Sequence, residues 1–129
     1  MTILALDLGK KKVGLALSHG IVAEGYATIR FNENDVSEFI NQLKKIISEQ
    51  KVNKVIIGLP LGRGGKDTDQ SIWTKKIAKR IENSLSLNVT FVEESYSTFQ
   101  ASGEGGDVDR QSARIILEQY LNENQGNSL

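Results

Sequence analysis

The sequence predicts an α/β domain: a mixed sheet, with three antiparallel strands followed by parallel strands, flanked by helices. Two observations support this class. Residues 3–30 contain three short apolar segments that are separated by glycine turns and lack helical periodicity. From residue 34 onward, segments with apolar residues every three or four positions alternate with short β-branched runs. A length of 129 residues suits one domain, so we interpret residues 1–129 as a single domain without repeat or linker.

The first two strands are predicted to form a hairpin. In I-L-A-L-D-L-G-K-K-K-V-G-L-A-L-S, residues 3–18, a turn of Gly9 and three lysines joins two apolar runs. Asp7 is unusual there, because aspartate suits strands poorly and is costly to bury without a partner. A cation, a metal or a hydrogen-bond donor would account for it; a simple cap of the turn is the alternative. A third strand is expected at Val22–Arg30.

A helix and a buried strand are predicted next. The helix is expected to begin at Asn34 or Asp35, since Asp35 and Glu38 have capping-box spacing. Its apolar face consists of Val36, Phe39, Ile40, Leu43, Ile46 and Ile47. The β-branched run Val52–Leu59 predicts a central strand, which Gly58 and the following proline are expected to stop.

The second predicted helix follows a glycine-rich loop at Leu61–Asp69. Asp69 or Ser71 is the expected cap of this helix. Its apolar stripe consists of Trp73, Ile77, Ile81 and Leu85. Its opposite side carries Lys75, Lys76, Lys79 and Arg80, which are interpreted either as a solvated face or as a phosphate-contacting one.

The last strand and the last helix complete the predicted order. Val89–Glu93 alternates as a half-buried strand does, and a polar glycine-rich loop covers Ser102–Asp107. The last helix is expected to start near Asp109 and to end near Asn122, leaving a frayed tail at 123–129. Its predicted buried residues are Ala113, Ile116, Leu117, Tyr120 and Leu121.

Composition narrows the possible functions. The formal net charge is zero, which argues against a general polyanion-coating protein, although residues 63–80 carry six basic and two acidic side chains. The chain has no cysteine, so thiolate metal sites and disulfides are excluded. No apolar stretch approaches the roughly 20 residues that span a bilayer, and the start of the chain lacks a secretion-signal pattern. A cytoplasmic protein without membrane partners is therefore expected.

Three acids lie at the ends of predicted elements: Asp7, Glu94 and Asp109. If the last strand lies beside the first, all three can converge at one sheet edge. Converging carboxylates repel one another unless a divalent cation neutralises them, and oxygen ligands without histidine or cysteine favour Mg²⁺ or Mn²⁺. Enzymes that hydrolyse phosphodiester bonds commonly use two such ions. The simpler alternative is that Asp109 caps its helix and the glutamates at 93 and 94 are solvated.

Four blocks of the sequence resemble the YqgF/RuvX family, whose members have a ribonuclease H-like fold. They are D-L-G-x-K-x-V-G-L-A-L-S at residues 7–18, I-I-G-L-P-L at 56–61, V-E-E-S-Y-S-T at 92–98, and V-D-x-x-S-A-x-x-I-L-x-x-Y-L at 108–121. They occur in the family's order and span most of the chain.

The resemblance implies a nuclease in which Asp7, Glu94 and Asp109 form a triad that binds Mg²⁺ or Mn²⁺. It implies a nucleic-acid substrate, either the 5′ end of precursor 16S ribosomal RNA or a Holliday junction. The predicted phosphate contacts are Lys10, Lys11, Lys12, Arg63 and Lys66, and the predicted supporting residues are Gly9, Ser97 and Thr98. Ser97 and Thr98 would position backbone or water, a local turn hydrogen bond being the simpler interpretation.

Some positions depart from the family pattern. Ser95 stands where the family commonly has arginine, which removes a guanidinium able to hold phosphate in a bidentate manner. His19 replaces a usual aspartate, and the loop at 99–107 is short and lacks basic residues. These departures leave the triad in place and concern the binding and choice of substrate.

Two other interpretations remain. The pattern D-x-G followed by a glycine hairpin also opens sugar-kinase and actin-like ATP-binding domains, although those proteins close two such domains over the nucleotide. The other interpretation is a catalytically weak RNA- or ribosome-binding module. It is suggested by Ser95 and by the short acidic loop at 99–107. The sequence carries no information on oligomeric state.

Overall fold

The computed structural model describes residues 1–94 and 108–127, and in them five strands form one mixed sheet. The strands are β1 (Ile3–Leu8), β2 (Lys12–Ser18), β3 (Glu24–Arg30), β4 (Lys54–Pro60) and β5 (Val89–Glu94). The helices are α1 (Val36–Gln50), α2 (Asp69–Leu85) and α3 (Val108–Asn127), with a short 3₁₀ turn at Arg63–Gly65. The predicted α/β class and the predicted order of elements are confirmed.

The strand order across the sheet is β3-β2-β1-β4-β5. β1 pairs antiparallel with β2 and β2 with β3, whereas β1–β4 and β4–β5 are parallel. β5 therefore lies beside β4 and not beside β1, so the predicted condition for bringing the acids together is wrong. One strand separates the strand of Asp7 from the strand of Glu94.

Apolar side chains bury both faces of the sheet, as expected for a helix–sheet–helix layering. One face of β1 places Leu4 and Leu6 in a core shared with α1 and α2. The other face places Ile3 and Ala5 in a smaller core shared with α3. Since strand side chains alternate between faces, Asp7 follows Ile3 and Ala5 toward α3.

Several predicted boundaries are corrected. Gly58 does not stop the central strand, because β4 continues through it to Pro60. β3 begins at Glu24, two residues later than expected, and leaves Val22 exposed. α3 continues past Asn122 to Asn127.

The cap of α2 is Thr68, not Asp69 or Ser71. The Thr68 hydroxyl accepts from the Ser71 backbone N–H at 3.0 Å, and the Ser71 hydroxyl accepts from the Thr68 N–H at 2.7 Å. This reciprocal pair is a capping box that a threonine and a serine complete, so the usual glutamate signature is absent from the sequence.

Most residues of the predicted apolar helix faces are buried as expected, and a few are only partly buried. Trp73 is half-buried and packs edge-on against Phe31, with ring centroids 5.7 Å apart. The side chains of Ile46, Ile47, Leu85 and Tyr120 are also only partly buried. These residues pack against the cores without being enclosed.

Candidate active site

Asp7 lies near the end of β1 on the face that α3 covers. Its partner on β2 is Gly14. The parallel register of β1 with β4 pairs Leu6 with Ile57, so the next step places Gly58 beside Asp7 on the other side. The Asp7 carboxyl is therefore flanked by a glycine on each neighbouring strand, which leaves space around it on this face.

Gly14 brings the start of α3 against the sheet. A Cβ at this position would overlap the carbonyl oxygen of Asp109. Only a residue without a side chain permits the first turn of α3 to approach this closely. The α3 backbone at Asp109 thus lies against the strand pair that carries Asp7.

Gly58 makes room for Glu94 on the other side. A Cβ at Gly58 would lie 3.1 Å from Oε1 of Glu94 and 2.5 Å from Cδ1 of Ile116. Glu94 ends β5 and pairs with Pro60 of β4. Its side chain therefore reaches across β4, over Gly58, toward β1. This explains how the acid of an edge strand comes near Asp7 although another strand lies between them.

The three acids interact electrostatically through Asp7. Burial, with a smaller contribution from the negative charge of Asp109, raises the pKa of Asp7 from 3.8 to about 6. Burial also raises the pKa of Glu94, from 4.5 to about 7, with a further contribution from the charge of Asp7. Asp7 is the member common to both interactions.

The donor set fits a hard divalent cation. Oε1 of Glu94 is buried and has no hydrogen-bond partner among the described residues. Buried polar atoms normally have such a partner, which offsets the free-energy cost of removing them from water. The neighbouring donors are carboxylate oxygens, which suit Mg²⁺ and Mn²⁺. Within residues 1–94 and 108–127, however, no group of three or more acidic or histidine side chains is already arranged to hold a metal ion. The electrostatic couplings are pairwise, Asp7 with Asp109 and Asp7 with Glu94.

A cleft of about 860 Å³ opens beside Glu94. The loop after β4, the edge strand β5 and the outer part of α3 line it, and they contribute Arg63, Glu93 and Gln119. The Gln119 side-chain amide donates to the backbone carbonyl of Glu93 at 3.0 Å, which ties the end of β5 to α3. The cleft thus has Arg63 and Glu94 in its lining.

The predicted phosphate-contacting residues lie on two exposed segments. Lys10, Lys11 and Lys12 are exposed in and after the hairpin turn, which the Gly9 N–H closes by donating to the Lys12 carbonyl at 3.0 Å. Arg63 and Lys66 are exposed in the loop before α2. Ser95, Ser97, Thr98 and the loop at 99–107 lie outside the described residues.

Sequence reasoning missed three contributors to the site: Gly14, Gly58 and Gln119. An isolated glycine inside an apolar strand signals a close approach of backbone or ligand, and Gly14 and Gly58 both carry that signal. Gln119 had none, since a polar residue on the outer part of a helix is ordinary.

A family model described as RuvX: Holliday junction resolvase matches residues 1–123. The chain belongs to the RuvX family. The matched range contains Asp7, Glu94 and Asp109. The resemblance of the four sequence blocks is thereby confirmed.

Two relatives are similar in sequence to this chain over nearly its whole length. A Dictyoglomus turgidum protein named "Putative pre-16S rRNA nuclease" is 33% identical over 134 residues, with 94% of each chain covered. An Oceanobacillus iheyensis protein of the same name is 34% identical over 136 residues, covering 95% of this chain and 99% of the relative.

Two solved structures share the fold. Thermus thermophilus RuvC in complex with a Holliday junction substrate superposes with a TM-score of 0.65 at 10% identity, covering 98% of this chain and 96% of the other. The fowlpox virus Holliday junction resolvase gives a TM-score of 0.55 at 12% identity, with coverage of 95% and 99%. The ribonuclease H-like sheet is confirmed.

None of the helices in the described ranges is long and apolar enough to cross a membrane.

Proposed function

We propose that this RuvX-family chain is a divalent-metal-dependent endonuclease that hydrolyses phosphodiester bonds of structured nucleic acid. The observation that carries the proposal is the Asp7 carboxyl, which lies between two strand glycines and within the electrostatic reach of Asp109 and Glu94. The relatives named as nucleases and the RuvX family description support the same chemistry.

The proposed metal-binding residues are Asp7, Glu94 and Asp109, with Mg²⁺ or Mn²⁺ as the cation. Asp7 is the ligand shared by the two coupled pairs, and the buried free oxygen of Glu94 is a second ligand. A bound cation would neutralise the mutual repulsion of these carboxylates and so allow Glu94 and Asp109 to lie close to Asp7. When bound, the cation lowers the pKa of an attacking water and neutralises charge on the departing oxygen.

The proposed substrate is precursor 16S ribosomal RNA, cut near its 5′ end. The relatives' names support this choice. Arg63, Lys66 and the hairpin lysines Lys10, Lys11 and Lys12 would hold the backbone beside the acids, and Gly9 keeps the turn tight. Ser97 and Thr98 remain proposed supporting residues. We also propose a cytoplasmic location, where ribosomal RNA is matured.

Holliday junction resolution is the second candidate. The description of the family favours it. Four-way DNA and structured RNA both present phosphates on branched duplexes, so the same acids could serve either substrate. Choice between them depends on contacts away from the cleaved bond.

One experiment tests the proposal and ranks the two substrates. Purified protein is incubated with Mg²⁺ or Mn²⁺ and either a precursor 16S fragment containing the 5′ end or a four-way DNA junction. We expect cleavage of the RNA and loss of cleavage in Asp7→Asn, with circular dichroism unchanged. Cleavage of the junction alone would favour resolution. Failure of folded wild-type protein to cut either substrate would leave the RNA-binding module as the better interpretation.

A further inference from the structure

The outer face of α2 carries basic side chains that the proposed active site does not use. Lys75, Lys76, Lys79 and Arg80 are all exposed. Lys75 is paired with Asp67 at 2.9 Å, and Lys79 lies 3.9 Å from Glu82. Among the described residues no acidic partner is recorded for Lys76 or Arg80. These two cations are therefore free to meet an external anion.

The two acids that lie beside Lys75 and Lys79 also accept hydrogen bonds from other groups. Asp67 accepts from Lys75 and from the Ser71 hydroxyl at 2.9 Å each. Oε2 of Glu82 accepts from the backbone N–H of Val89 at 3.1 Å. Each of these carboxylates therefore has partners other than Lys76 and Arg80.

The free cations continue a row that begins at the hairpin turn. Nζ of Lys10 lies over the ring of Trp73, 5.9 Å from its centroid. Trp73 is half-buried at the edge of the apolar face of α2, next to its outer face. Since positions three and four apart are neighbours on a helix, Lys76 lies one turn beyond Trp73 and Arg80 one turn beyond Lys76. At about 1.5 Å per residue the row runs about 10 Å along α2, the axial length of roughly three nucleotides of one strand.

The row starts at the catalytic end of the sheet. The Gln70 side-chain amide, in the first turn of α2, donates to the carbonyl of Leu8 at 3.4 Å. Leu8 follows Asp7 directly in the chain. The beginning of α2 is thus attached to the strand that carries the central acid, and the basic row leads away from that point.

We propose that Lys76 and Arg80 form a second phosphate-binding surface for the backbone of the nucleic-acid substrate, which continues from Lys10 at the hairpin turn. This surface binds a strand or arm that leaves the active site over the hairpin turn and follows α2. It rests on the proposed nuclease function and adds to it a place where substrate is held away from the cleaved bond. Contacts to phosphates position a nucleic acid without reading its sequence, so this surface favours extended or branched substrates over short ones.

Direct binding tests the surface without requiring cleavage. The probe is a fluorescein-labelled RNA hairpin with a single-stranded 5′ extension, measured by anisotropy in EDTA over a series of salt concentrations. The test variant is Lys76→Gln/Arg80→Gln. The control, Lys44→Gln/Lys45→Gln, removes the same charge from exposed positions of α1. A charge-retaining variant, Lys76→Arg/Arg80→Lys, completes the set.

We expect the test variant to bind roughly tenfold more weakly, with a log–log salt slope shallower by about 0.7–0.9 for each lost charge. The α1 control should stay within about twofold of wild type, and the charge-retaining variant should keep the wild-type slope. Equal weakening of the test variant and the α1 control would overturn the proposal, as would no weakening of the test variant or no binding by wild type. A DNA hairpin of the same sequence should respond in the same way, and an effect confined to one polymer would contradict a contact made to phosphates alone. Binding with the expected slopes, but no cleavage when Mg²⁺ or Mn²⁺ is added, would reject the nuclease function and leave this surface standing.

Discussion

Gly58 and Glu94 lie in contact across the β4–β5 pair, where a methyl group on Gly58 would come within 3.1 Å of the Glu94 carboxyl oxygen. Replacing Gly58 by alanine should therefore displace the carboxyl and also press on Cδ1 of Ile116, at 2.5 Å. We expect at least about a tenfold loss of cleavage, because misplacing a catalytic group by about 1 Å can cost 10²-fold. The stability cost should be about 1–3 kcal/mol, as for other overpacked sites.

A matched control for Gly58→Ala is Gly20→Ala, since a Cβ at Gly20 meets nothing within 4 Å. Urea unfolding and the cleavage assay on both variants separate an effect on the site from an effect on the fold. Wild-type cleavage by Gly58→Ala would show that the position of Glu94 near this glycine has no bearing on activity.

Gly14→Ala should be more damaging to the fold than Gly58→Ala. At Gly58 the nearest atoms are the ends of side chains, which can rotate away, whereas at Gly14 the obstacle is the backbone carbonyl of Asp109. The added methyl must push the first turn of α3 off the sheet, so we expect a loss of unfolding free energy toward the upper end of about 1–3 kcal/mol or beyond. Urea titrations of the two variants make the comparison, and a Gly14→Ala loss smaller than that of Gly58→Ala would contradict it.

The stability of the metal-free protein should depend on pH through Asp7. Its folded pKa of about 6 lies above its usual 3.8, so between these values the folded state binds more protons than the unfolded state. Asp7 therefore lowers stability as pH rises through this window, and the full cost, on the order of 2–3 kcal/mol, is present above about pH 6. Glu94 adds a similar trend that extends to about pH 7.

Asp7→Asn isolates this contribution. In EDTA, we expect the unfolding free energy of the variant, relative to wild type, to be higher at about pH 7.5 than at about pH 4.5. The difference between the two proteins cancels the titration of groups that Asp7 does not influence. The part of the raised Glu94 pKa that the charge of Asp7 causes stays in the difference and has the same sign. A variant whose relative stability is the same at both pH values would mean that Asp7 ionises normally in the folded protein.

Added Mg²⁺ should offset the loss of folding stability that the buried carboxylates cause. Cation binding requires ionised carboxylates, so the rise in Tm with Mg²⁺ should be larger at about pH 7.5 than at about pH 5, and binding should release protons. Calorimetry in two buffers of different ionisation enthalpy counts those protons, and Asp7→Asn serves as the control. A rise in Tm of the same size in wild type and Asp7→Asn would place the cation elsewhere on the protein.

The kind and order of elements could be predicted because periodicity is a local property. Apolar spacing in α1 indicates which face of the helix is buried, and the β-branched run of β4 indicates a buried central strand. Both predictions hold. Asp7 was identifiable for the same reason, since a carboxylate within an apolar strand conflicts with its neighbours. The predicted ends of elements were less accurate where a side-chain hydrogen bond determines the end, as Thr68 does at the start of α2.

What the amino-acid pattern determined by itself was the set of elements, the family and the identity of the candidate acids. Only the tertiary structure decided that β5 lies one strand away from β1, because pairing between distant segments leaves no periodic mark in the chain. It also decided how the acids approach each other nonetheless: Gly14 admits the backbone of α3 and Gly58 admits the side chain of Glu94. The role of a glycine in such a site can be recognised only when the groups that occupy the space beside it are known.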